Sequence, residues 1–234
     1  AAIMSSADDL RGGYIRQDSL DLGAAAVLVV DMTNDFCHPE GVYARHGADC
    51  QPLLALVLNI DAVMRAAQTV GRPVILCSQF IFRDVQGRAV ASPGMVAARP
   101  WLIEEGLAAD SWGTRIIEGL PAPDYTIAKP RASGFFATPL DLLLRGLGID
   151  TVVVLGGYTN QCIEATVRDA WALDYKVVLP PDGTACFDPA LHEATLATLA
   201  PLTTERPTAD IVAGFAATPS PSNLSLPDQG AGHV

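Results

Sequence analysis

The sequence predicts an α/β domain: a parallel sheet with helices on both faces. Three observations predict it. Short, unbroken apolar runs recur along the chain, as strands buried on both faces require. Between them lie stretches with apolar residues at helical spacing. Half of the 234 residues are apolar and 18% are charged, which supports a sizeable core and excludes global disorder.

Residues 1–22 are polar and mixed and read as a surface arm. The domain spans 23–216. "AAAVLVVD" (24–31) is a buried strand that ends on Asp31. Residues 51–71 carry a helical pattern closing on Gly71, which suits the left-handed position after a helix. "RPVILCSQFIF" (72–82) is a second strand. Residues 83–123 are weakly patterned, with Pro93, Pro100, Pro121 and Pro123 as breakers, and read as a loop excursion with a short helix. "DYTIAK" (124–129) is a third strand. Residues 138–148 form a helix with Thr138 as N-cap and Pro139 at its first position. "DTVVVLGG" (150–157) is a fourth strand, 162–175 a helix, and "KVVLPPD" (176–182) a fifth strand. A helix follows over 188–200. "PLTTE" (201–205) is the candidate sixth strand, and 208–216 a last helix capped by Thr208. The Pro- and Ser-rich residues 217–234 read as an extended tail.

Composition narrows the function. The net charge of −11 repels phosphate backbones and argues against nucleic acid as a partner. No run of 18 uncharged apolar residues suggests a membrane span, and no basic segment precedes an apolar one at the start, so no secretion signal is expected. The five cysteines are odd in number and lack CxxC spacing, which supports neither disulfides nor a zinc cage. A reduced, cytoplasmic protein is the simplest expectation. Gly156–Gly157 stands without GxGxxG or GK[ST], so no nucleotide loop is expected.

In a parallel sheet the ligand crevice lies beyond the carboxyl ends of the strands. Three strands end there in reactive side chains: Asp31, Lys129 and, after two glycines, Cys162. Each has an ordinary reading. An aspartate is commonly a turn residue, a lysine a solvated chain, a cytosolic cysteine a packing residue. Together they make a nucleophile, a base and a cation. A helix N-terminus eases ionisation of a thiol. A carboxylate in hydrogen-bond reach can take its proton, and an ammonium keeps that carboxylate charged.

"LVVDMTNDFCHPEG" (28–41) and residues 128–182, with "KPRASGF" and "GGYTNQC", resemble the isochorismatase-like cysteine hydrolases over residues 24–215. The resemblance implies a single domain with a six-stranded parallel sheet of Rossmann-like arrangement. It implies Asp31 as base, Lys129 as orienting cation and Cys162 as nucleophile, with a cis peptide at Gly157–Tyr158. The N–H groups of Tyr158 and Cys162 would hold the oxyanion. It further implies a homo-oligomer, dimer or tetramer, acting on a small molecule without a cofactor. "CSQFIFRD" (77–84) lacks the Asp-x-His of metal-binding nicotinamidases, so no metal is expected. The cysteine favours C–N hydrolysis of an amide, ureide or carbamoyl compound. The alternatives are cleavage of an enol ether without a covalent step, or a metal-independent nicotinamidase- or lactamase-like amidase.

Phe36, Gln79, Phe80, Arg131, Phe135 and Tyr158 lie near strand ends and are candidates to line the pocket. Cys77 reads as core, Glu164 and Arg168 as a surface ion pair, and Trp101 and Trp112 as a lid or subunit contact. His38 has no partner spacing, His46 is a candidate for the pocket rim, His192 reads as a helix-surface residue and His233 as part of the tail.

Overall fold

Six buried residues in succession, Ala25–Val30 (β1), form the middle of the sheet. Alternate side chains of a strand point to opposite faces, so β1 feeds two cores. Val27 and Val29 pack with Leu76, Val153 and Leu155; Ala26, Leu28 and Val30 pack with Ile75, Cys77, Val152 and Val154. The structure, a computed structural model, describes residues 20–91 and 93–219. Most of the expected arm and all but the first residues of the tail, His233 included, lie outside the described residues. Leu22, assigned to the arm by its sequence, is instead buried in the first of these cores.

After β1 come α1 (Asn34–Cys37), α2 (Val42–Arg45), α3 (Gln51–Leu54) and α4 (Val57–Thr69). The single helix expected over 51–71 is thus two. At the break, Leu56 N–H donates to Leu53 O, an i→i−3 bond that tightens the chain between buried Leu53 and Leu56. Gly71 adopts φ +69°, as the pattern required. Next are β2 (Val74–Gln79), an antiparallel hairpin β3 (Phe82–Arg83) and β4 (Ala89–Val90), α5 (Pro93–Ala98), α6 (Pro100–Glu105) and β5 (Tyr125–Lys129). The excursion therefore has more structure than its pattern suggested. Its helices are six residues each and α5 buries no side chain, so they leave little periodic signal.

The remainder is α7 (Leu140–Gly146), β6 (Thr151–Gly157), a π-turn (Thr159–Ile163) running into α8 (Glu164–Ala172), β7 (Lys176–Leu179), β8 (Thr184–Ala185), α9 (Pro189–Leu199), β9 (Thr204–Glu205) and α10 (Thr208–Ala217). Thr138 caps α7 by accepting from Leu140 N–H at 3.2 Å, with Pro139 in the cap position itself. Thr208 does not cap its own helix. Its N–H and hydroxyl both donate to the Asp182 carboxylate, at 2.9 and 2.7 Å, tying α10 to the turn that follows β7.

The sheet is parallel in the order β5-β2-β1-β6-β7-β9, with β8 added as a seventh strand beside the end of β6. Helices α4 and α10 cover one face; α7, α8 and α9 cover the other. The chain winds outward from β1 to β5, returns, and winds outward again from β6. The order therefore reverses between β1 and β6, where such sheets open a crevice.

At that junction the strands touch closely. Gly156 pairs with Val30 and has φ +115°, and a Cβ there would lie 2.2 Å from the Val30 carbonyl oxygen. Backbone cannot move aside as a side chain can. Gly156→Ala is expected to cost about 3 kcal/mol or more, from left-handed strain plus collision. Urea denaturation of the variant measures it, and a loss under about 1 kcal/mol contradicts the account.

Candidate active site

Asp31 follows the last residue of β1 with φ +54°, a conformation aspartate tolerates better than most residues. The turn aims its carboxylate across the strand ends rather than along the strand. Lys129, the last residue of β5, reaches it from two strands away. Lys129 Nζ lies 2.7 Å from Asp31 Oδ2 and both side chains are fully buried. The same ammonium donates to Cys162 Sγ at 3.4 Å and to the Arg131 carbonyl at 3.3 Å. The three strand-end residues thus meet around one nitrogen.

The two oxygens of Asp31 differ. Oδ1 accepts from Gln79 N–H at 2.9 Å. Oδ2 faces the Lys129 ammonium at 2.7 Å. The Asp31 carboxylate is also a hydrogen-bond partner of the Cys162 thiol, which favours the protonated sulfur. Burial pushes the Cys162 thiol up to about 12; the Lys129 charge opposes that rise and the Asp31 charge adds to it. Burial by itself would lower the Lys129 ammonium, but Asp31 and Cys162 outweigh it and raise the group. Burial thus favours the protonated thiol, which lies beside the Asp31–Lys129 pair.

The buried thiols are expected to make stability fall in alkali. Burial holds Cys77 and Cys162 up at about 12 and raises Cys37 as well. Below the unfolded thiol value, about 8.5, both states are protonated and nothing changes. Above it the unfolded chain loses protons that the folded chain keeps, so the folded state binds more protons and stability declines with pH. Each thiol contributes roughly 1 kcal/mol per pH unit. Urea unfolding at pH 8, 9 and 10 should show the decline, shallower in Cys77→Ala; equal slopes in the two proteins would contradict it.

The candidate lining residues divide. Gln79 is at the site, with its N–H on Asp31 and Oε1 3.8 Å from Cys162 Sγ. Phe36 and Tyr158 are buried, their rings 6.1 Å apart in an edge-on contact. Arg131 meets Lys129 through its carbonyl, while its side chain is exposed and donates to Pro130 O. Two expectations need correction. Phe80, just past the end of β2, instead lines a hollow of about 520 Å³ with Leu76 and Ser78, the alternate residues of that strand. Phe135 is core, packed with Leu140 and Leu144 and 5.6 Å from the Tyr175 ring.

Other residues near the site left no strong signal in sequence. Tyr43 joins Phe36 at 4.7 Å and Tyr158 at 6.0 Å; Phe187 lies over Tyr158 at 4.2 Å. Asp35 accepts from Leu107 N–H at 2.7 Å and Asn34 donates to Trp112 O at 2.8 Å, so the "ND" following Thr33 anchors the excursion. A Cβ at Gly113 would fall 2.2 Å from Asp35 Oδ2, so that anchor also fixes a glycine. His46 stacks on Trp101 and contacts Glu105 at 3.1 Å, and Trp112 packs edge-on against His38. Glu164 and Arg168 pair at 2.9 Å as expected. His192, read as a surface residue, is half-buried with Nδ1 2.8 Å from the hydroxyl of Thr159. The Gly157–Tyr158 peptide is cis.

Among the described residues no cluster of three or more His, Cys, Asp or Glu side chains is arranged to hold a metal ion, and no helix is long and apolar enough to cross a membrane.

The family description "Isochorismatase domain" matches residues 25–210. Among solved structures, a cysteine hydrolase from Pseudomonas syringae pv. phaseolicola 1448A is 26% identical with a TM-score of 0.73, covering 87% of this chain and 97% of that one. An isochorismatase family protein from Desulfovibrio vulgaris subsp. vulgaris str. Hildenborough is 28% identical with a TM-score of 0.68, covering 82% and 98%. An N-carbamoylsarcosine amidase from Thermoplasma acidophilum is 26% identical with a TM-score of 0.62, covering 79% and 96%.

Proposed function

This chain belongs to the isochorismatase family, and from that membership we propose that it is a cysteine-dependent hydrolase cleaving the C–N bond of a small amide, ureide or carbamoyl compound. The observation that carries the reading is Lys129 Nζ lying within 2.7 Å of the carboxylate and 3.4 Å of the sulfur. A packing cysteine needs no buried ion pair beside it, and a buried ion pair is not a source of net stability.

In the proposed cycle Asp31 Oδ2 takes the Cys162 proton as sulfur attacks the carbonyl carbon. Lys129 stays an ammonium and stabilises the charge as it passes from carboxylate to sulfur. The N–H groups of Tyr158 and Cys162 receive the tetrahedral oxyanion. Asp31 then returns the proton to the departing nitrogen, leaving a thioester or thiocarbamate on Cys162. A water gives its proton to Asp31 and attacks the acyl carbon. The C–S bond breaks, sulfur recovers the proton, and the acid departs. Two moderate steps replace one direct attack by water. The likeness to an N-carbamoylsarcosine amidase supports a carbamoyl or ureide substrate. We extend the reading to a homo-oligomer, supported by the exposed apolar side chains Phe82, Val85 and Val90 on the hairpin.

Ammonia release from a panel of ureides, carbamoyl amino acids, nicotinamide and lactams tests the reaction. Intact mass during turnover should show an acyl adduct on Cys162. Turnover of a vinyl ether without any adduct would instead favour the enol-ether chemistry.

A further inference from the structure

We infer that His192 is a positioning residue for this reaction: through Thr159 it holds the turn that carries the Tyr158 N–H and the Cys162 thiol. The inference rests on the hydrolase reading for its kinetic consequences, but its structural grounds are separate.

Thr159 is fully buried and opens the π-turn that contains Cys162. In that turn Ile163 N–H reaches back to Tyr158 O at 3.2 Å, an i→i−5 bond. Wide turns of this kind are rare and have little intrinsic preference, so tertiary contacts must select them. No side chain caps this one from within. The Thr159 hydroxyl is instead paired across the fold with His192 Nδ1 at 2.8 Å. Without that partner a buried hydroxyl would be left unsatisfied.

The histidine is itself well placed. Asp188 caps α9 by accepting from Ala190 N–H at 2.8 Å, and Pro189 starts the helix. Thr195, Leu196 and Leu199 bury its inner side. Phe187, just before the cap, lies 4.2 Å from the Tyr158 ring. One short segment, 187–192, therefore grips both residues that open the turn to the thiol: Tyr158 by its ring and Thr159 by its hydroxyl. If the hydroxyl is released, the turn can tighten toward the narrower α-helical spacing. That rotates Cys162 about the helix axis and away from Lys129 Nζ, now 3.4 Å distant. His192 takes no part in proton transfer and acts only through Thr159.

The test uses His192→Ala, His192→Asn, His192→Gln and Thr159→Val in the full chain. The amide of asparagine can stand where Nδ1 stands; that of glutamine falls nearer the position of Nε2. His192→Ala and Thr159→Val should each lower kcat by roughly ten- to a hundredfold with KM within about twofold, since small misplacements of a nucleophile cost that much. Their double variant should be no slower than the worse single one. His192→Asn should recover most of the rate and His192→Gln little. If His192→Ala does not fold, the asparagine and glutamine pair still decides. Alkylation of Cys162 by iodoacetamide, read by peptide mass against Cys77, needs no substrate and should change in the same order. Wild-type kcat and alkylation in His192→Ala, or equal behaviour of the asparagine and glutamine variants, overturns the inference. Absence of turnover in the wild type with altered alkylation in His192→Ala would sink the hydrolase reading alone.

Discussion

Cys162→Ser is expected to lower kcat by at least about a thousandfold and leave the fold intact. Oxygen is smaller than sulfur and fits the same space, so packing changes little. The chemistry changes greatly, because a hydroxyl resists deprotonation far more than a thiol. Asp31 and the Lys129 ammonium 3.4 Å from the sulfur are matched to a thiol that burial has already raised to about 12, and an alcohol lies well beyond their reach. The variant's circular dichroism and melting temperature should match the wild type, and the acyl adduct should vanish from its mass spectrum. A serine variant retaining a tenth or more of the wild-type rate would remove the covalent mechanism.

Asp31→Asn and Lys129→Met should each destabilise the domain by about 3–5 kcal/mol, because each strands one buried charge without its counterion. That is a large share of the roughly 5–15 kcal/mol that holds a domain folded. Asparagine is the informative replacement at 31, since it too accepts φ +54°, so backbone strain does not enter. It also keeps an oxygen for Gln79 N–H, which now donates to Oδ1 at 2.9 Å. The double variant removes both charges and should be more stable than the sum of the single effects predicts, by at least about 1 kcal/mol of coupling. Guanidinium denaturation of all four proteins measures this cycle. Strictly additive losses would mean that the 2.7 Å contact carries no energetic weight.

The strand ends are readable because a central parallel strand is a solid apolar word, and the polar residue after it stands out. Asp31 is found this way; Lys129 closes an edge strand that is only half covered, and Cys162 stands in the π-turn beyond β6. What lies beyond them depends on alternation and on distant partners. Phe80 and Gln79 are neighbours in sequence, yet Gln79 serves the site and Phe80 faces the opposite side of the sheet. The excursion is obscure because its helices are too short to show a period and bury little. Asp35 carries no local mark of its role, since its donors, Val42 and Leu107, come from two separate segments. His192 escapes for a related reason: its partner lies 33 residues earlier, and a lone histidine on a helix has no spacing to betray it. Thr208 shows the reverse error, a residue with the right chemistry for a cap that spends it on Asp182 instead.

Lys129 rides an edge strand, β5. Tyr125, Thr126 and Ala128 of that strand are uncovered, while only Ile127 and Lys129 turn inward. A border strand loosens more readily than those between neighbours. The cation proposed for the chemistry thus belongs to one of the two edges of the sheet. Should that margin lift first on warming, function would be lost while the interior still stands.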